Sequence, residues 1–194
     1  MSAEPILVLV RVAELLDALA IPYVVGGSVA SGFHGAPRMT QDIDILIDLP
    51  SQKVEPLTAS MRPEFYVDLE AAREAQRKRG SFNAIHLGYH HKVDFFIAAD
   101  DVLDREQLDR RVSATIAPDV PRKIFLTSAE NIVLRKLDWF RRGDEASEVQ
   151  WRDILALLKI RRGALDLDYV RRIARSTGLE SLLARALSQA EPRG

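Results

Sequence analysis

The chain contains no cysteine. Disulfides, thiolate metal sites and cysteine nucleophiles are therefore excluded at the outset, and the composition agrees with a reducing compartment. Glycine (10) and proline (9) are sparse, aromatic residues make up only 7%, and no repeat or low-complexity segment occurs. No apolar run approaches the roughly 18 residues a membrane span needs. The opening stretch from Ile6 to Val10 is too short for the apolar region of a secretion signal. The expectation is a soluble, cytoplasmic protein with no membrane partner and no disulfide partner. Net charge is nearly absent as well, at −1 over 194 residues.

What is present is a globular composition, 47% apolar and 28% charged, long enough to bury a real core as one domain or a small domain with an appendage. The charge is unevenly spread. Residues 1–120 hold 12 Lys and Arg against 18 Asp and Glu, a net of −6, and residues 121–194 hold 15 against 10, a net of +5. An acidic half suits cations and a basic half suits a polyanion; ordinary solvated helix faces explain the same numbers.

The apolar spacing predicts a helix from Ile6 to Ala20, with Leu9, Ala13, Leu16 and Ala20 on one face. Pro22 ends it, and Tyr23-Val-Val is a short buried strand. A brief helix over Val29 to His34 follows, then a strand over Ile43 to Ile47 and a helix after Pro50. A solvent-facing helix is predicted from Asp68 to Lys78. Phe82 to Leu87 and Val93 to Ile97 read as a strand pair turning around Gly88-Tyr-His-His. Asp100 or Asp101 caps a helix running to Arg111. Thr127-Ser-Ala-Glu130 and Ser147-Glu-Val-Gln150 are capping-box patterns opening helices to about Arg142 and Ile160. Two shorter helices are expected near Tyr169 to Ser176 and Glu180 to Gln189. The sum is an α+β protein: a mixed sheet with flanking helices over residues 1–126, followed by a helical region over 127–194.

Two motifs carry chemistry. In Tyr23-Val-Val-Gly-Gly-Ser28 an apolar strand runs into two glycines and a serine. Gly26 and Gly27 let the backbone approach a ligand with no Cβ in the way, and a helix starting after Ser28 would present free N–H groups to phosphate. Alone, such a turn is more often only a turn. After a spacer of 13 residues, Asp42-Ile-Asp44 puts two carboxylates on one face of a strand whose isoleucines face the core. Carboxylates so placed repel each other unless a cation such as Mg²⁺ lies between them; the plainer reading is an exposed acidic strand face. Asp94, in Lys92-Val-Asp-Phe-Phe-Ile97, is a third acid inside an apolar strand. It needs a metal or a partner, and Lys92 or an arginine would serve as the latter.

Gly-Gly-Ser, the spacer, Asp-Ile-Asp and the later Val-Asp-Phe-Phe strand together resemble the nucleotidyltransferase superfamily that includes DNA polymerase β. Within it the chain most resembles the AbiEii/MenT-like toxin nucleotidyltransferases. The resemblance implies a nucleotidyltransferase-like α+β fold and transfer of a nucleoside monophosphate from an NTP. It implies that Gly26, Gly27 and Ser28 hold triphosphate and that Asp42, Asp44 and Asp94 hold two Mg²⁺ ions and carry the catalysis. Lys136 sits in the middle of the stripe Ala129, Ile132, Val133, Leu137, Phe140, where a lysine must snorkel or meet an anion. By the resemblance it reaches NTP phosphate. Asp153, after Arg152, matches a basic-Asp pair of the same group, although a surface salt bridge accounts for it equally. Arg38 and Thr40 flank the metal strand and would touch phosphate or acceptor; Arg38 could instead pair with the acids. The four histidines (34, 86, 90 and 91) show no metal-ligand spacing and read as surface or turn residues.

The acceptor stays open at this stage. A tRNA 3′ end, modified by the toxin of a toxin–antitoxin pair with a cognate antitoxin as partner, is one reading. A protein or small-molecule hydroxyl, as on an aminoglycoside, is another. A non-catalytic nucleotide- or partner-binding module of the same fold, or a two-metal nuclease, completes the set.

Overall fold

The computed structural model describes residues 3–35, 42–117 and 120–191. These form a seven-stranded mixed sheet with strand order β3-β4-β5-β2-β1-β7-β6. The strands are β1 (Tyr23–Val25), β2 (Asp42–Ile47), β3 (Phe65–Val67), β4 (Ser81–His86), β5 (Lys92–Ile97), β6 (Val112–Ala117) and β7 (Val120–Leu126). The β2–β5 and β1–β7 pairs are parallel and the remaining pairs antiparallel.

Alternation along β2 decides what each face of the sheet does. Ile43, Ile45 and Ile47 are fully buried and join the main core. There they meet α1 (Ala3–Ala18), α3 (Val54–Met61) and α4 (Leu69–Lys78) through residues such as Leu9, Leu16, Leu57, Met61 and Ala72. Asp42 and Asp44 occupy the opposite face, which the period of two requires. On that face Val24, Leu46 and Ala98 form a small apolar cluster with Phe96 and Leu108 packed against it. Above it lie α2 (Gly27–Phe33), α5 (Val102–Asp109) and α6 (Ala129–Arg142), which pack on one another and on β1 and β2.

The second apolar cluster belongs to α6 together with α7 (Glu148–Ile160), α8 (Leu167–Ser176) and α9 (Glu180–Ala190). Each of these helices except α9 opens on a side-chain cap. Ser128 accepts from Asn131, Ser147 from Gln150 and Asp166 from Tyr169, each replacing one bond that the helix start would otherwise lack.

Several sequence expectations need adjusting. β3 and the β6–β7 hairpin were not expected. The cap of α6 is Ser128 rather than Thr127, whose hydroxyl instead donates to the Val25 carbonyl at 3.1 Å. Of the two candidate caps for α5, Asp101 is the one used, accepting from the Asp104 backbone N–H. α2 starts at Gly27, two residues earlier than the apolar pattern suggested. Among the described residues no helix is long and apolar enough to cross a membrane.

Candidate functional site

Strand register builds the site. Asp44 and Asp94 are direct partners on the parallel strands β2 and β5, so their Cα atoms are about 5 Å apart. One pleat away, Asp42 lies opposite Lys92. The row continues outward through Ile85 on β4 and Tyr66 on β3, both exposed.

The glycine turn sits directly on this pair. The Gly26 N–H donates to the Asp44 carbonyl at 2.9 Å. Gly27 adopts φ +54°, and a Cβ built on it would fall 1.8 Å from Asp44 Oδ2. Only glycine fits there, for both conformational and steric reasons. Ser28, partly exposed, begins the first turn of α2 beside it. The turn is held from behind by Thr127, whose N–H and hydroxyl both donate to the Val25 carbonyl at 2.9 and 3.1 Å. The Thr127 carbonyl in turn accepts from Nε2 of His34 at 2.8 Å. His34 is buried at the end of α2, which corrects its reading as a surface residue. Burial holds its pKa below the usual imidazole value, only partly offset by this hydrogen bond. His86 ends β4 instead of lying in the turn, and its Nδ1 accepts from the Gly88 and Tyr89 N–H groups of the turn that follows.

Burial and the neighbouring charge of Asp94, with a smaller contribution from Asp42, push the Asp44 carboxyl up to about 6. Lys92 and Lys136 pull the other way. Lys92 Nζ lies 2.8 Å from Asp94 Oδ2 and 3.7 Å from Asp42 Oδ1, and the hydrogen bond to Asp94 raises its own pKa. Among the described residues no three His, Asp or Glu side chains gather closely enough to hold a metal as they stand. The donor set nevertheless fits a hard divalent cation. Its atoms are carboxylate oxygens, Asp44 is crowded by like charge, and the only cation close to Asp94 and Asp42 among the described side chains is the movable ammonium of Lys92.

A cavity of about 550 Å³ opens over this face. Gly26, Gly27, Ser28, Asp44 and Lys136 all line it, so the turn, one central carboxylate and the helix lysine converge. Lys136 meets an anion, as its position required: its ammonium donates to Asp153 Oδ2 at 2.8 Å, and the two side chains are 21% and 29% exposed. Asp153 is thus joined to the site's lysine by a partly exposed salt bridge. Arg38 and Thr40 lie outside the described residues.

The sequence reading missed several cavity residues. Arg135, partly buried and paired with Asp104 and Asp138, has its pKa lowered by burial. Arg79, Trp139 and Gln150 also line the cavity. The signal for Trp139 was available: it falls three residues after Lys136, hence on the same helix face. The Lys92 alternative for Asp94 offered by the sequence is present as an ion pair.

The fold is nucleotidyltransferase-like, a mixed α+β architecture. The same architecture is found in an antigenic nucleotidyltransferase-like protein from Paracoccidioides brasiliensis, at 21% identity and a TM-score of 0.57, over 96% of this chain and 93% of that one. It is found again in the antibiotic-resistance factor ANT(2'')-Ia, at 17% identity and a TM-score of 0.55, over 97% and 96% of the two chains. A structure of ANT(2'')-Ia with adenylyl-2''-tobramycin matches at 19% identity and a TM-score of 0.52, over 90% and 98%. No family model matches the chain, and no curated protein matches it.

Proposed function

We propose that this chain is a Mg²⁺-dependent nucleotidyltransferase that moves a nucleoside monophosphate from an NTP to an acceptor hydroxyl. The observation that carries the reading is the contact between Gly27 and Asp44, with Asp94 beside them. It joins a backbone turn open to phosphate to a pair of carboxylates forced together on adjacent strands. In this reading Gly26, Gly27, Ser28 and Lys136 hold the triphosphate, with Asp153 keeping Lys136 in place, and Arg38 and Thr40 assist from the segment before β2. Asp94 takes the proton of the acceptor hydroxyl as its oxygen bonds to the α-phosphorus; the bond from that phosphorus to the bridging oxygen breaks and pyrophosphate leaves. Bound Mg²⁺, held by Asp42, Asp44 and Asp94 and numbering two by the family resemblance, supplies charge neutralisation on the phosphates and acidifies the attacking hydroxyl. For an ion to be held by all three acids, Lys92 must swing out from between Asp42 and Asp94.

For the acceptor we favour a nucleic-acid 3′ hydroxyl such as a tRNA end, which is the substrate expected of an AbiEii/MenT-like toxin with a cognate antitoxin. The +5 net charge of residues 121–194 supports a polyanionic acceptor. The second reading is an aminoglycoside-like hydroxyl, supported by the adenylyl-2''-tobramycin complex of a neighbour with the same fold. NTP and Mg²⁺ supply make the cytoplasm the compartment for either reaction. The test incubates the protein with each α-labelled NTP, Mg²⁺, and total tRNA or tobramycin in parallel. Label on tRNA supports the first acceptor and label on tobramycin the second. No transfer by the native chain to either, despite NTP binding, would leave a non-catalytic binding module.

A further inference from the structure

We propose that Trp139 and Gln150 form the nucleobase seat of the cavity and that the base they select is adenine. The inference rests on the nucleotidyltransferase reading and adds the identity of the nucleotide.

The two tryptophans of the chain are treated differently by the fold. Trp151 is consumed by structure: its ring packs at 4.9 Å on Phe140, the Arg185 guanidinium lies 4.3 Å above it, and its Nε1–H donates to Gln189. Trp139 has none of this. Its side chain is 49% exposed, and among the described residues no aromatic ring or cation stacks on it. It nevertheless lines the cavity that holds Gly27, Asp44 and Lys136. An indole left open to water in a polar cavity gives up apolar burial that a planar ligand would restore.

Gln150 supplies the second, independent observation. It lies in the first turn of α7 and lines the same cavity. Its Oε1 is shielded from solvent yet has no hydrogen-bond partner, which is unfavourable for a buried acceptor. The missing partner is a donor. A ring lying on Trp139 and bearing an exocyclic amino group would provide both the stack and the N–H.

Adenine, cytosine and guanine all carry such a group; in adenine it lies beside N7, where a glutamine carboxamide matches the paired donor and acceptor N6 and N7. Guanine offers two acceptors at the equivalent edge. The larger purine covers more of the indole, so adenine is preferred over cytosine. Lys136, one helical turn from Trp139 on α6, lines the same cavity. At about 550 Å³ the cavity falls within the roughly 300–1,000 Å³ typical of small-molecule sites.

The experiment measures equilibrium binding of non-hydrolysable ATP, CTP, GTP and UTP analogues and of inorganic triphosphate, with Mg²⁺. The proteins are the native chain, Trp139→Ala and Gln150→Leu. Trp139 emission is followed in parallel as the difference between the native chain and Trp139→Phe, so that Trp151 stays untouched. The ATP analogue should bind the native chain best and quench Trp139, whereas inorganic triphosphate should bind without quenching. Trp139→Ala should weaken the ATP analogue by about tenfold or more, as expected for loss of a base-on-aromatic stack, and leave inorganic triphosphate unchanged. Gln150→Leu should keep the quenching and erase the preference for ATP. ATP binding unaltered in Trp139→Ala, or a native chain that prefers CTP, GTP or UTP, would overturn the seat while leaving the nucleotidyltransferase reading intact. Failure of every analogue and of triphosphate to bind the native chain would overturn both.

Discussion

Lys92 holds Asp94 through a 2.8 Å ion pair between direct neighbours of the carboxylate row. The same ammonium is 3.7 Å from Asp42, so a side chain of the protein stands where the electrostatics call for a metal. Replacing Lys92 by Met should therefore tighten Mn²⁺ binding. The side chain is 39% exposed, and solvent screening limits the gain to about fivefold, equivalent to up to about 1 kcal/mol. Titration calorimetry or Mn²⁺ resonance on the native and Lys92→Met proteins reads this directly. Weaker binding in the variant would mean that Lys92 helps to shape the metal site instead of competing for it.

Asp44 links pH to stability. Its folded pKa, about 6, lies above its ordinary value of 3.8, so between those values the folded state binds more protons than the unfolded one. Stability contributed by this group is then lost as pH rises from about 4 to about 6, and the loss levels off above that. The cost is at most about 3 kcal/mol. In metal-free buffer Asp44→Asn should melt higher than the native chain at pH 7 and match it near pH 4. Added Mg²⁺ should raise the native melting temperature and leave the variant nearly unmoved.

Gly27 and Gly26 are adjacent but should respond differently to alanine. At Gly27 the new Cβ would meet the Asp44 carboxylate at 1.8 Å in a backbone of φ +54°, and the expected loss is about 1–3 kcal/mol together with loss of nucleotide binding. At Gly26 φ is −113° and the nearest contact is Thr127 Oγ1 at 3.7 Å, so stability should change by no more than about 0.5 kcal/mol. Denaturant melts and nucleotide binding on the two variants test the contrast.

His34 should produce an acid limb. Its folded pKa lies below the ordinary 6.5, so the unfolded state takes up the proton first. Its contribution is complete above 6.5 and is lost as pH falls through that value toward the folded pKa. His34→Ala should cost about 1–3 kcal/mol at pH 7.5, because the buried Thr127 carbonyl loses its donor, and the penalty should shrink at pH 5.5. Thermal melts at the two pH values check both statements.

The parts of this arrangement that were legible in the sequence are those that local chemistry specifies. Strict alternation in Asp42-Ile-Asp-Ile-Leu-Ile47 put the acids on one face, and Ser147 announced its helix. β3 escaped because Phe65-Tyr-Val67 is too short for a period to show; it is held by register with β4 and by burial of Phe65 and Val67 in the main core. The β6–β7 hairpin escaped because prolines at 118 and 121 interrupt its pattern. His34 lies in a turn, as one of its two readings had it, but its burial was not legible because its hydrogen-bond partner, Thr127, is 93 residues away. The pairing of Lys136 with Asp153 and the presence of Trp139 and Gln150 in the lining of one cavity likewise depend on how α6 docks against α7. No spacing within either helix encodes that.

The van der Waals contact between the turn and β2 also bears on how this chain can change over generations. Positions 27 and 44 form one unit of inheritance. A side chain at 27 displaces the carboxylate, and a longer acid at 44 drives a methylene into the backbone of the turn. Drift at either position is closed unless the other moves with it, so lineages that keep one should keep both.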